Sequence, residues 1–342
     1  MIRHALARYA AASLMLLASA AAVRAQDAAQ FYKGKNVELY IGYTVGGGYD
    51  IYARLLARHL GRFIPGNPNI VPKNMEGAGS VRLANWLANV APKDGTVIGT
   101  IGRGTAFDPV FGQKGAQFKG PDFTWIGSAN DEDSVCATMK EAGVSTFENT
   151  LKNEVTMGAL SFSDDTGQFT KVLANLFGAK FRIVTGYPGG NDVVLAMERG
   201  EVQGRCGWSW SSVKSLRPDW LRDKKIDIWL QLALSKHVDL PDVPLVMDLA
   251  RTDEDRLAMK LIFARNTMGR PFLAPPGVPA QRTAVLRKAF MDTMRDKEFL
   301  ADAEKAKLEI TPVAGEALQD LVGELYRTPP AVAQKAASLL QN

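Results

Sequence analysis

The sequence predicts an α/β protein built from two units, each a mostly parallel sheet covered by helices. Three observations carry that expectation: short β-rich runs alternate with helical stripes, glycine-containing loops join strand to helix, and the alternation restarts near residue 155. A chain of 342 residues is long enough for two domains with separate cores.

The first run, Val37-Glu38-Leu39-Tyr40-Ile41-Gly42, ends at Gly46-Gly47-Gly48, after which Tyr52, Leu55, Leu56, Leu60 and Phe63 recur at helical spacing. Asn69-Ile70-Val71 is a second strand, 74–80 a second glycine loop, and Leu83, Trp86, Leu87 and Val90 the stripe of a second helix. Asp94-Gly95 turns the chain into a strand at 96–101, and 124–139 reads as a connecting strand. The second unit opens with a strand at 155–160, a polar loop at 161–167, and a helix bearing Phe169, Val172, Leu173, Leu176 and Phe177. A strand at 181–184, the loop Tyr187-Pro188-Gly189-Gly190, a helix from Asp192 to Gly200, a strand at 202–207 and an apolar run at 226–234 follow. The run 268–274, bounded by Pro275-Pro276, reads as a return crossing, and helices from about Pro279 and Gly315 rejoin the first unit. The expected division is 26–130 plus 265–342 for the first domain and 131–264 for the second.

Arg3 and Arg8, an apolar run at 10–22 and Val23-Arg24-Ala25 have the form of a cleavable secretory signal, too short to span a bilayer, with no Cys after it to accept a lipid. The expected mature chain begins near Gln26 and is periplasmic. Cleavage removes three arginines, so the formal charge falls from +5 to +2, which leaves no support for a nucleic-acid partner. In an oxidising compartment Cys136 and Cys206 form a disulfide by default; two unpaired core thiols are the alternative.

In open parallel sheets ligands sit beyond the carboxyl ends of the strands, where helix N-termini offer free amides to an anion and glycine lets the backbone come close. Gly46-Gly47-Gly48, Gly77-Ala78-Gly79 and Gly189-Gly190 all occupy such positions. Asp50 reads as a helix N-cap that also shapes the first glycine loop or meets a ligand. Arg103 either pairs with a ligand carboxylate or is a solvated loop arginine. Tyr43, Tyr49, Phe107, Tyr187, Trp208 and Trp210 lie in or near the same loops, as core or as pocket wall. Catalysis has little to work with: beyond the leader the histidines are His59 and His237, no pair has metal-ligand spacing, and no nucleophile elbow, Walker loop or dinucleotide fingerprint occurs. No catalytic residue, metal or cofactor is expected.

Together these segments resemble the solute receptors of the tripartite tricarboxylate transporter family, the Bug receptors. The resemblance rests on Gly46-Gly47-Gly48-Tyr49-Asp50, Asn74-Met75-Glu76-Gly77-Ala78-Gly79, Val184-Thr185-Gly186-Tyr187-Pro188-Gly189-Gly190, Gly200-Glu201-Val202, Leu240-Pro241-Asp242-Val243-Pro244 and Pro275-Pro276-Gly277-Val278-Pro279. It implies a type II periplasmic-binding fold, two doubly wound α/β domains joined by crossing hinge strands that close on ligand. It also implies a monomeric receptor that holds a di- or tricarboxylate, or an aromatic carboxylate, largely on backbone amides and passes it to membrane permease subunits. A ligand-sensing accessory of a sensor kinase and a periplasmic enzyme are the alternatives. The family's strand order places the connecting strand beside 202–207, which makes Cys136 and Cys206 neighbours and supports their pairing. The ligand set it implies adds Ser161, Ser163, Asp164, Asp165, Thr166, Gly167 and Asp192 to the loop residues above. One departure stands out: the loop Ser161-Phe162-Ser163-Asp164-Asp165-Thr166-Gly167 carries two carboxylates where the family usually has glycine and serine. Either Asp164 and Asp165 point to solvent and cap the helix near Gly167, or the ligand offers them hydroxyl, amine or cationic groups.

Overall fold

The computed structural model describes residues 28–341; the expected leader at 1–25 lies outside them. Strand β1 (Asn36–Ile41) buries Val37, Leu39 and Ile41 and leaves Glu38 and Tyr40 less covered, the period-two pattern of a sheet strand. Helix α1 (Gly48–Leu60) follows the first glycine loop and buries Tyr52, Leu55, Leu56 and Leu60 on one face. β2 (Asn69–Asn74) and β3 (Val97–Thr100) flank β1 in parallel, with α2 (Val81–Asn89) between them in sequence. β2 forms the sheet edge, where Pro72 deprives the ladder of no partner.

The expected single connecting strand is two strands. β4 (Thr124–Ser128) joins the first sheet and β5 (Ser134–Met139) the second. The second sheet adds β6 (Val155–Gly158), β7 (Phe181–Val184), β8 (Gly204–Ser209) and β9 (Ile226–Leu232), in the order β7-β6-β8-β5-β9. Its helices are α3 (Phe147–Lys152), α4 (Asp165–Phe177), α5 (Gly190–Glu198), α6 (Trp210–Leu216), α7 (Pro218–Arg222) and α8 (Asp253–Phe263). The chain returns through β10 (Pro271–Ala274), which lies antiparallel between β3 and β4. The first sheet thus reads β11-β4-β10-β3-β1-β2, with β11 (Val313–Ala314) at its other edge. α9 (Ala280–Arg295), α10 (Lys297–Lys305), α11 (Gly315–Tyr326) and α12 (Pro330–Leu340) complete the chain.

The two crossings run side by side: Ala129 N donates to Arg270 O at 3.0 Å, Gly269 N to Asn130 O at 3.1 Å and Glu132 N to Asn266 O at 3.0 Å. Two short crossings tied by hydrogen bonds form a hinge; the return one is a 3-10 helical turn over Ala264–Met268 that leads into β10.

Helices α9 and α11 pack on the first sheet, as expected. The last helix does not. α12 lies on α8 and α4 of the second lobe, where Asn175 Nδ2 donates to Leu339 O at 3.0 Å and Lys335 pairs with Asp255 at 3.3 Å. Its apolar Ala336, Leu339 and Leu340 need a partner face, and the exposed side of α8 and α4 supplies one.

β5 and β8 are antiparallel neighbours, and Cys136 is bonded to Cys206 across them. Both residues are fully buried. The disulfide, not a pair of free thiols, is what the fold contains.

Candidate functional site

Loops from both lobes meet at the carboxyl ends of the strands. The loop after β1 touches the first turn of α5: Asn191 Nδ2 donates to Gly46 O at 3.3 Å, and Thr44 Oγ1 donates to Asp192 Oδ2 at 3.4 Å. On the other side of the cleft, a β-carbon on Gly79 would come within 2.7 Å of Asp164 Cβ and 2.9 Å of Ser161 Oγ. Gly79 has φ +62°, a conformation that L side chains rarely adopt, so its lack of a side chain serves both the turn and the close approach. The lobes are closed on each other. Between them lies a cavity of about 70 Å³, room for on the order of five waters.

Of the residues expected at a site, Tyr43, Gly47, Gly48, Tyr49, Arg103, Asp164, Asp165, Thr166, Gly190 and Trp208 line this cavity. Gly46, Gly77, Ala78, Gly79, Ser161, Ser163, Gly167, Tyr187, Gly189 and Asp192 do not line it; they build its loops or the contacts between lobes. Phe107 and Trp210 are core residues, the latter with its indole N–H on Asp239 at 3.0 Å. Asp50 is not the N-cap. Helix α1 is capped by Gly47, and Asp50, in its first turn, reaches back to accept from Gly46 N at 2.9 Å while pairing with Arg54 at 2.9 Å and accepting from Asn74 Nδ2 at 2.9 Å. It holds the glycine loop in shape.

Neither carboxylate of the second-lobe loop points to solvent, although the expected helix cap is there: Asp164 is buried and the Asp165 side chain is 11% exposed. Asp164 is the N-cap of α4: its Oδ1 accepts from Thr166 N at 3.1 Å, Thr166 Oγ1 at 2.6 Å and Gly167 N at 3.3 Å. Burial pushes its carboxyl up to about 6, against the pull of those hydrogen bonds. Asp165 instead ties the lobes together. It pairs with Arg103 of the first lobe and, at 3.1 Å, with Arg265 of the return crossing. Burial alone would raise its carboxyl, but the two guanidinium groups hold it below the ordinary range. Arg103 is therefore neither solvated nor free; Asp165 occupies its Nε and Ser134 Oγ accepts from its Nη2.

Sequence reasoning missed Arg205 and Arg270, which enter the cavity from β8 and from the return crossing. Arg270 pairs with Glu132 at 3.2 Å and lies over the rings of Tyr49 and Tyr52, 4.8 and 5.1 Å from their centroids. Arg205 donates to Gly190 O at 2.7 Å and sits 5.3 Å from the Trp208 ring. Tyr43 and Tyr49 stack at 4.4 Å, burial raises both phenols, and Tyr49 Oη accepts from Arg103 N at 3.0 Å. With Leu160, Leu216 and Trp208 they form the apolar part of the lining, against which Arg205 and Arg270 lie. The remaining lining residues, Thr44, Asn191, Gly207, Ser209 and Ser212, were also missed.

A cavity between two doubly wound lobes, closed by facing glycine loops at helix N-termini, defines a two-domain solute-binding fold of the periplasmic type. Solved structures share it. The periplasmic binding protein BugD superposes with a TM-score of 0.72 at 18% identity, over 90% of this chain and 99% of that one. MatC from Rhodopseudomonas palustris with bound malate gives 0.70 at 17%, over 90% and 99%. A further R. palustris protein, with adipate, gives 0.68 at 15%, over 89% and 98%. A Cupriavidus necator UPF0065 protein from a gbd 5' region is 36% identical over 99 residues, a stretch that spans 29% of each chain. No protein-family model matches the chain. The likeness to Bug-type receptors read from the loop motifs thus holds in the fold. Among the described residues no helix is long and apolar enough to cross a membrane.

Proposed function

We propose that this chain is a periplasmic receptor of the Bug type that captures a small organic anion, a carboxylate, in the cleft and delivers it to the membrane permease of a tripartite tricarboxylate transporter. The observation that carries the reading is the pair of helix starts without a side-chain cap, α1 at Gly47-Gly48 and α5 at Gly189-Gly190, that meet at one cavity from opposite lobes. Aligned peptide dipoles favour negative charge there, and the guanidinium groups of Arg103, Arg205 and Arg270 add to the same potential. The domains would be 26–130 with 265–329, and 131–264 with α12. Lobes that close over the anion bury it and present one joint surface to the permease. That malate and adipate occupy relatives of this fold supports the ligand class.

A thermal-shift screen over organic acids, sugars and amino acids tests this. An acid present at a hundredfold excess over its dissociation constant stabilises the folded chain by about 2.7 kcal/mol, a rise of about 4 °C for a protein of this size. A response confined to sugars would remove the carboxylate; conversion of a bound acid into product would remove the receptor.

A further inference from the structure

Four guanidinium groups are buried in and around the cleft, and three have a carboxylate partner. Arg103 and Arg265 share Asp165, and Arg270 has Glu132. Arg205 is the exception: 4% exposed, it has no carboxylate within ion-pair distance among the described residues, and its Nε, like one nitrogen of each of the other three, has no hydrogen-bond partner. Its one hydrogen bond is Nη1 to Gly190 O at 2.7 Å, and the residue lines the cavity. A buried, unpaired cation is costly, and burial lowers the Arg205 guanidinium to about 10.

The surroundings sharpen this cost. Arg205 lies at the N-terminus of α5, where its guanidinium would be 3.2 and 3.4 Å from a β-carbon on Gly190. A helix start repels a cation. Asp164 is engaged by the amides and hydroxyl of its own helix start and acts on Arg205 only through space. Asp108 does not line the cavity; it accepts from Gln168 Nε2 at 3.4 Å, and burial raises its carboxyl well above the usual range. Among the side chains that line the cavity, Arg103, Arg205 and Arg270 set against Asp164 and Asp165 leave one positive charge in excess.

On the reading that the cleft takes an organic anion, we propose that Arg205 is the carboxylate anchor and that the ligand is a monocarboxylate with an uncharged, apolar remainder. The planar fork of Arg205 can take both carboxylate oxygens, with the Gly190 and Asn191 amides of α5 alongside. Trp208 beneath the guanidinium and the stacked Tyr43 and Tyr49 line the space the remainder fills. A second carboxylate on the ligand would enter this closed space with no counter-charge left to meet it, because the lining carries a single positive charge in excess.

The test is titration calorimetry on the full chain with benzoate, phenylacetate and hexanoate against succinate, malate, adipate and citrate. The tightest acid should be a monocarboxylate, by about tenfold or more over any acid of higher charge. Arg205→Met should cut its affinity about a hundredfold without lowering the melting temperature of the unliganded chain, since the change removes an unpaired buried charge. Arg205→Lys, which keeps charge but loses the fork, should fall between. Asp164→Asn keeps the helix cap, adds one positive charge and should narrow the gap between mono- and dicarboxylates. A dicarboxylate or citrate as the tightest ligand, or wild-type affinity in Arg205→Met, would overturn the inference and leave the receptor reading standing. Binding of no acid in the panel would overturn both.

Discussion

Replacing Asp165 by Asn should loosen the two lobes before it unfolds either of them. Asp165 belongs to α4 of the second lobe, Arg103 to the loop after β3 of the first, and Arg265 to the return crossing, and the three side chains are almost wholly shielded from water. Removing one partner of a buried ionic cluster strands the other charges, at a cost of about 3–5 kcal/mol. Spread over the 314 residues from 28 to 341, at about 2.1 cal/mol/K of unfolding entropy per residue, that is a fall in melting temperature of about 5–8 °C. Opening the hinge hydrates Arg103 and relieves part of the penalty, so the unliganded variant should have a larger radius of gyration by small-angle scattering. Asp165→Asn combined with Arg103→Met removes the stranded cation and should recover more than half of the loss, a coupling that a double-mutant cycle measures. An Asp165→Asn protein that melts within about 1 °C of wild type and scatters identically would refute the assignment of Asp165 as the bond between lobes.

Reducing the Cys136–Cys206 bond, or replacing both residues by Ala, should cost about 4 kcal/mol for a sequence separation of 70, read from urea unfolding with and without reductant. Asp164 has a folded carboxyl of about 6 against an ordinary 3.8, so its neutral form is the one the fold prefers. Its contribution is complete below about pH 4 and is lost as pH rises through about 6. Asp164→Asn should therefore gain stability relative to wild type between those values, seen as melting temperature against pH; a difference that is flat with pH refutes the shift. Gly79→Ala puts a side chain at φ +62° and against Asp164, and should weaken acid binding through incomplete closure while each lobe keeps its circular dichroism.

The alternation of elements was legible because each strand of the parallel core ends in a glycine loop and each helix shows its stripe. β1 and α1, with Val37, Leu39 and Ile41 inward and Tyr52, Leu55 and Leu56 beneath them, are typical. The glycine loops were legible for the same reason. The charged half of the cleft was not. All six residues of β8 are buried, so no period marks Arg205 as different from a core position. Glu132 and Arg270 lie on crossings whose pairing depends on two segments far apart in sequence meeting side by side. Asp164 and Asp165, adjacent in sequence, have opposite fates because the first turn of α4 directs one to its own amides and the other across the cleft. The stripe on α12 shows that it packs, and nothing local says on which lobe.

A crystal structure of the full chain with the acid that binds tightest in calorimetry tests the central claim most directly. The account predicts one acid per chain inside the closed cleft, its carboxylate on Arg205 and the Gly190 end of α5, and its apolar part between Trp208 and the Tyr43–Tyr49 pair. An acid bound outside the cleft, or inside it with its carboxylate turned away from Arg205 toward the tyrosines, would contradict it.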